Sequence, residues 1–148
     1  MVSFAQFAPE NGHIIGEIAC GHEGDPKKLR GLIDCVARGG AHAIKFQIFV
    51  PSERATPDHA EWQIFNDLFL SENHWVDAVK YARSKELIVL ADVFGEEGFL
   101  LAKKLDVDGY KIHSEDLLNS EFIAKVASEK KITIIGVGGA RRIEYYNL

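Results

Sequence analysis

Residues 14–49 constrain the fold most, because they read in order as a strand, a loop, a helix and a second strand. Asp25 and Pro26 predict the start of the helix, since aspartate is a favoured N-cap and proline fits the first helical position. Gly39 and Gly40 predict its end. The residues that follow the helical period between these signals are Leu29, Leu32, Ile33 and Val36. This segment therefore predicts a β-α-β unit.

Five short apolar runs are predicted as strands, over residues 14–19, 43–49, 87–94, 109–114 and 132–137. Most lack strict alternation, as is typical of strands buried on both faces of a parallel sheet. Helices are predicted between them, over 59–70, after a Ser71 cap, over 95–105 and after a Ser120 cap, and residues 140–148 read as the start of another. The alternation predicts a parallel sheet with right-handed crossovers. A doubly wound sheet and a (β/α)8 barrel both remain open at this point.

Length and composition indicate one ordinary globular domain. The chain has 148 residues, of which 47% are apolar and 26% charged. A net charge of −5 disfavours general nucleic-acid binding. The N-terminal residues lack a signal-peptide pattern, and no apolar run reaches membrane-spanning length. With only two cysteines, which make no disulfide framework, the chain is expected to be cytoplasmic.

Two lysines lie inside predicted strands, which is costly unless each meets an anion. Lys45 is followed two positions later by Gln47, so both side chains share one face of a strand. Lys111 lies in the fourth predicted strand. If both lysines face the same interior, they form a binding site for a phosphate or carboxylate. The alternative is that one or both extend to solvent from an edge strand.

Two carboxylates accompany these lysines. Glu17 interrupts the first apolar strand, and Asp116 follows the fourth. Both are candidates for a site at the strand ends. The alternatives are a structural pairing of Glu17 with a lysine, and a loop or helix-cap position for Asp116.

Three motifs, in order and in register over about residues 13–140, resemble the sialic acid synthases (N-acetylneuraminate synthases and relatives). EIACGHEG with AIKFQIF resembles that family's E-I-G-x-N-H-x-G and V-K-x-Q. LIVLADVFGEEG stands where the family has a strand ending in S-T-P-F, and DGYKIHSEDLLN where it has Y-K-I-[AG]-S-G-[DE]-[LC]. The resemblance implies a (β/α)8 TIM barrel. This chain would supply its N-terminal portion of about five strands, without the remaining strands or a C-terminal antifreeze-like domain.

The resemblance also implies an activity and roles for individual residues. The family condenses phosphoenolpyruvate with an N-acetylated amino sugar; water enters, phosphate leaves, and a 2-keto-3-deoxy sugar acid forms. The residues implied to hold phosphoenolpyruvate are Lys45, Lys111 and Ser114. Those implied to handle the sugar and its protons are Glu17, Gln47 and Asp116. His22, the family's loop histidine, is expected to shape the first loop by hydrogen bonding.

A divalent metal, Mn or Mg, is implied in the full-length enzyme, with its ligands outside this chain. The resemblance further implies a homodimer in the full-length form. The isolated chain is expected to be inactive as a synthase, and either self-associated or part of a larger fold, because five strands leave unpaired edges.

Departures from the resembled motifs keep other functions open. Asp92 replaces the threonine of S-T-P-F, and it is expected to repel an anionic substrate unless it is protonated or paired. Gly136 replaces a serine, and Glu115 adds a charge between Ser114 and Asp116. One alternative is another phosphate-handling, aldolase-type barrel with a Schiff-base lysine. Another is a non-catalytic sugar-binding relative.

Overall fold

The computed structural model describes residues 12–139 and 141. The strands are β1 (Ile15–Ala19), β2 (Ala43–Ile48), β3 (Ile88–Val93), β4 (Gly109–Ile112) and β5 (Ile132–Ile135). The helices are α1 (Pro26–Arg38), α2 (Trp62–Leu68), α3 (Glu72–Ser84), α4 (Gly95–Lys104) and α5 (Ser120–Ala127), with one-turn 3-10 helices at Pro51–Glu53 and Ser114–Asp116. All five predicted strands are confirmed. The helix predicted over 140–148 lies outside the described residues.

Side-chain caps begin three of the helices, and two of these caps were predicted. Asp25 accepts a hydrogen bond from the Lys27 amide at 2.7 Å, and Ser71 caps α3. The prediction for α5 was wrong by one residue, because Asn119 is the N-cap and Ser120 is already helical. Asparagine and serine are both strong N-cap formers, so their adjacency hid the choice.

Strand order separates the two architectures that the sequence left open. The sheet runs β1-β2-β3-β4-β5, and every neighbouring pair is parallel. A doubly wound sheet reverses its strand order at a switch point, whereas a barrel adds each strand beside the previous one. The sequential order therefore confirms the N-terminal portion of a (β/α)8 barrel.

The two faces of the sheet bury different layers. The helix-facing layer includes Ile44, Phe46 and Ile48 of β2, which pack with Trp75 of α3 in the main core. The opposite face, which is the inner face of the barrel, carries a smaller apolar layer at the start of the strands. Its members are Ala43, Leu90 and Ile132, with Ile15, Ile88 and Ile134 packed against them. The charged side chains lie on the inner face beyond this layer.

No helix within the described ranges combines the length and the apolarity that crossing a membrane requires.

Candidate active site

Strand periodicity and register gather the candidate residues on the inner face. Because Ile44, Phe46 and Ile48 face the helices, Lys45 and Gln47 of β2 must point inward. The register pairs Glu17 with Lys45. It also places Asp92 between Gln47 and Lys111. These positions lie toward the carboxyl ends of the strands, where barrel enzymes build their active sites.

Four of these side chains form a row of alternating charge across four strands, here called the charge chain: Glu17, Lys45, Asp92 and Lys111. The Lys45 ammonium pairs with the Glu17 carboxylate, and its Nζ lies 3.6 Å from Asp92 Oδ2. The Lys111 ammonium donates a hydrogen bond to the same Asp92 oxygen. Two carboxylates and two ammonium groups cancel, so the charge chain has no formal net charge. Both lysines meet at one buried oxygen, and neither lies on an edge strand.

The centre of the charge chain is buried and its ends are open. Asp92 is 1% exposed and Lys45 is 9% exposed. The Glu17 side chain, by contrast, is 41% exposed. Burial lowers the pKa of the Lys45 ammonium; Asp92 opposes this shift, and the nearby Lys111 charge adds to it. The charged form of Lys45 therefore depends on the carboxylates beside it.

Asp92 is paired, which is one of the two conditions under which the sequence allowed it beside an anion site. Its Oδ2 faces both lysines. Its second oxygen, Oδ1, is buried and has no hydrogen-bond partner. Asp92 thus lies at the centre of the site. The sequence marked it as a departure from a motif but could not show what it contacts.

The first loop supports this site from one side. His22 is fully buried; its Nδ1 accepts a hydrogen bond from the Gly24 amide at 3.0 Å, and its ring meets Trp75 edge-on. The prediction that His22 shapes the loop is confirmed. Burial lowers the pKa of His22, which favours the neutral ring. In the same loop, the Cys20 thiol donates to Gln47 Oε1 at 3.3 Å and so orients the glutamine.

Ser114 and Asp116 lie on the 3-10 turn that follows β4. Asp116 interacts with Asn119, Glu115 and His113, and burial is the main cause that raises its pKa. Within the described part of the chain, no ion pair joins Asp116 to the charge chain. Its role beside the lysines therefore stays a prediction, as does that of Ser114.

The replacement of a serine by Gly136 has a steric reason. A Cβ at this position would lie 3.0 Å from the Ser114 amide nitrogen and 3.2 Å from the Ile112 carbonyl oxygen. Because these neighbours are backbone atoms and not the end of a flexible side chain, a serine here would require the turn after β4 to shift by a few tenths of an ångström. Gly136 therefore brings the end of β5 close to Ser114.

Sequence reasoning missed a rim formed by the loop after β2. Arg54 pairs with Glu115 at 2.7 Å and lies over the Phe94 ring, 4.3 Å from its centroid. Glu53 accepts hydrogen bonds from the amides of Glu97 and Gly98, at 2.9 and 3.1 Å, in the first turn of α4. The signal that could have found these residues is their position in the loop after β2, since loops after barrel strands carry site residues.

The described residues do not fit the divalent metal that the resemblance implies. No group of three or more histidine, cysteine or acidic side chains in these ranges is placed to hold an ion. The acidic groups of the inner face, Glu17 and Asp92, are already engaged by lysines. That the metal ligands lie outside this chain stays a prediction.

Comparison with known proteins agrees with the fold and the motifs. The sequence profile described as the NeuB family matches residues 32–147. A pseudaminic acid synthase of Campylobacter jejuni is 25% identical over an alignment of 149 residues, which covers 91% of this chain and 43% of that protein. An N,N'-diacetyllegionaminic acid synthase of Campylobacter jejuni is 26% identical over 141 residues, covering 86% of this chain and 42% of that protein.

A solved structure gives the same result for the fold. The crystal structure of the N-acetylneuraminic acid (sialic acid) synthetase from Leptospira borgpetersenii superposes with a TM-score of 0.85 at 24% identity. The match covers 93% of this chain and 49% of that one. This chain thus spans less than half the length of these relatives. Since the family profile matches most of its residues, the chain belongs to the NeuB family.

Proposed function

We propose that this chain forms the N-terminal portion of a barrel enzyme that joins phosphoenolpyruvate to an N-acetylated amino sugar, giving a sialic-acid-like 2-keto-3-deoxy sugar acid and phosphate. The observation that carries the proposal is the meeting of Lys45 and Lys111 at one buried point of the inner face. Two ammonium groups there suit a substrate with a phosphate and a carboxylate. Membership of the NeuB family gives this anion site its chemical context.

Different residues bind the two substrates in this proposal. Lys45 and Lys111 hold the anionic groups of phosphoenolpyruvate, and Ser114 adds a hydroxyl from the turn after β4. Gln47, oriented by Cys20, faces the sugar. The open side of the site, where Glu17 is partly exposed, admits the sugar.

Two carboxylates carry the proton transfers. Glu17 keeps one side open to solvent while it holds Lys45, so it can accept a proton from an attacking water. Burial raises the pKa of Asp116, which suits a group that donates a proton to the developing hydroxyl of the sugar.

Phosphate release tests the proposal. The complete polypeptide carrying residues 1–148 is incubated with phosphoenolpyruvate, a divalent metal and a panel of N-acetylated amino sugars. Lys45→Met and Lys111→Met should each lower kcat/KM by at least about 100-fold, which corresponds to about 2.7 kcal/mol of lost transition-state stabilisation. Lys104→Met is the matched control, because Lys104 forms an exposed ion pair with Glu72 away from the site. Phosphate release that both site variants leave unchanged would refute the proposal.

The lowered pKa of Lys45 favours one second candidate, an aldolase-type enzyme that forms a Schiff base. A desolvated lysine amine is a better nucleophile than a solvated ammonium ion. Borohydride reduction with a keto substrate separates the two functions. A covalent adduct on Lys45 or Lys111 supports the aldolase, and the absence of an adduct in an active enzyme supports the synthase.

A further inference from the structure

The buried oxygen of Asp92 that lacks a partner is the observation that the proposed function leaves unexplained. Asp92 is 1% exposed, and Oδ1 accepts no hydrogen bond although Oδ2 faces both lysines. A buried carboxylate oxygen without a donor is costly. Such an oxygen becomes satisfied when it gains a proton and a ligand atom that accepts it.

The charge balance of the site indicates that a carboxylate gains a proton when the ligand binds. The charge chain is neutral before any ligand arrives, so phosphoenolpyruvate would place further negative charge beside Asp92. A like charge favours the neutral form of a buried carboxyl group. The ligand therefore fits better when one carboxylate of the site is protonated.

The groups around Asp92 indicate which carboxylate that is. From β2 it faces Lys45 and the uncharged Gln47, and from β4 it faces Lys111. Glu17 of β1 reaches it only through Lys45 and is solvated at its other side. On β5, the residue in register with Lys111 is the apolar Ile134.

The remaining charges near the rim leave this choice unchanged. Arg54 and Glu115 pair with each other, so they add no net charge beside the carboxyl group of Asp92. Asp116 forms no ion pair with either lysine in the described part of the chain, whereas Asp92 faces both. Asp92 is thus the buried acid between the two lysines.

We propose that Asp92 is a substrate-binding residue that acts in its acid form. As phosphoenolpyruvate binds, Asp92 takes one proton from the solvent on Oδ1 and donates it as a hydrogen bond to an oxygen of the ligand. Lys45 and Lys111, released from a negative counterion, then turn their charge to the ligand. The resulting O–H also replaces the hydroxyl of the threonine that the resembled motif has at this position. This inference rests on the proposed function.

Calorimetry measures the proton directly. Phosphoenolpyruvate is titrated into the complete polypeptide above about pH 7.5, where the phosphate group is fully ionised. Two buffers with different ionisation enthalpies, HEPES and Tris, are compared. The expected result is an uptake of about one proton per ligand and a Kd that rises about tenfold per pH unit. This measurement on the unaltered protein needs no variant to fold.

Two variants assign the proton. Asp92→Asn keeps the size of the side chain and an N–H donor but cannot titrate. It should therefore bind phosphoenolpyruvate without proton uptake and with a Kd that does not change with pH. At high pH this Kd should be lower than that of the unaltered protein. Glu17→Gln should keep the proton uptake. Thermal unfolding of each variant checks that it is folded.

The outcomes separate this inference from the proposed function. Binding without proton uptake in the unaltered protein overturns the inference alone. Uptake that persists in Asp92→Asn also overturns it alone, since the proton would then lie on another group of the site, such as Lys45, Glu17 or Asp116. Absence of phosphoenolpyruvate binding to the unaltered protein and to Asp92→Asn at every pH overturns the proposed function, and this inference with it.

Discussion

The contact between Lys45 and Asp92 should contribute measurably to the free energy of unfolding, because both groups are buried. A double-mutant cycle isolates it, with Lys45→Met, Asp92→Asn and the variant that carries both. Methionine keeps the long apolar stem of lysine, and asparagine keeps the shape of aspartate. Each single change leaves a buried charge with one partner fewer, which is the situation that destabilises a protein most, by about 3–5 kcal/mol.

The expected size of the coupling follows from the geometry. Lys45 Nζ lies 3.6 Å from Asp92 Oδ2. At an effective dielectric near 20, this separation corresponds to an attraction of about 4–5 kcal/mol. Lys111 still holds Asp92 when Lys45 is removed, and Glu17 still holds Lys45 when Asp92 is removed. These remaining partners lower the expected coupling free energy to about 1–3 kcal/mol.

Urea unfolding followed by tryptophan fluorescence gives the four free energies of the cycle. The matched control is the pair Lys104 and Glu72, whose Nζ and Oε1 are closer, at 2.7 Å, but whose side chains are 66% and 44% exposed. Its coupling should stay below about 1 kcal/mol. A coupling between Lys45 and Asp92 no larger than that of the control would refute the reasoning, because burial would then add nothing to the interaction.

Two further predictions concern the loops that frame the site. Because burial lowers the pKa of His22, the stability it confers is present above about pH 6.5 and is lost as the pH falls. His22→Asn, which keeps an acceptor for the Gly24 amide, should flatten the fall of the unfolding free energy between about pH 6.5 and 5, and an unchanged slope would contradict this. Glu53→Gln removes a carboxylate from the start of α4, so it should lower the free energy of unfolding by about 0.5–2 kcal/mol. Hydrogen exchange at the Glu97 and Gly98 amides should become faster, and unchanged exchange there would show that the contact is dispensable.

Local signals predicted most of the fold. The five strands, the Asp25 and Ser71 caps and the glycine end of α1 each depend on a few neighbouring residues. The helix predicted over 59–70 was too long at both ends, since α2 covers only Trp62–Leu68. Strand order could not be predicted from pattern, because it depends on which strands pair across the sheet. The resemblance to a barrel family supplied that information, and the sequential order confirmed it.

The candidate site was likewise predictable where it depends on neighbouring residues, but not where it depends on how strands pair. The period of two placed Lys45 and Gln47 on one face, as the structure has them. The pairing of Asp92 with lysines on both sides depends on the register of β3 against β2 and β4, which no single strand encodes. The steric need for Gly136 likewise arises from the approach of β5 to the turn after β4.

Along β3, consecutive inward-facing residues change from an apolar side chain to a buried charged one. Leu90 is fully buried in the apolar layer, and Asp92, the next inward residue, is buried at the centre of the charge chain. Stability does not explain this change, since replacing a buried ion network by apolar side chains of similar volume is often neutral or stabilising. Continuing the apolar layer through Lys45 and Asp92 need not therefore lower the stability of the barrel. A buried, neutral row of charges that leaves one oxygen without a partner agrees with the proposed binding site, and it separates the apolar layer at the start of the strands from the charged layer beyond it.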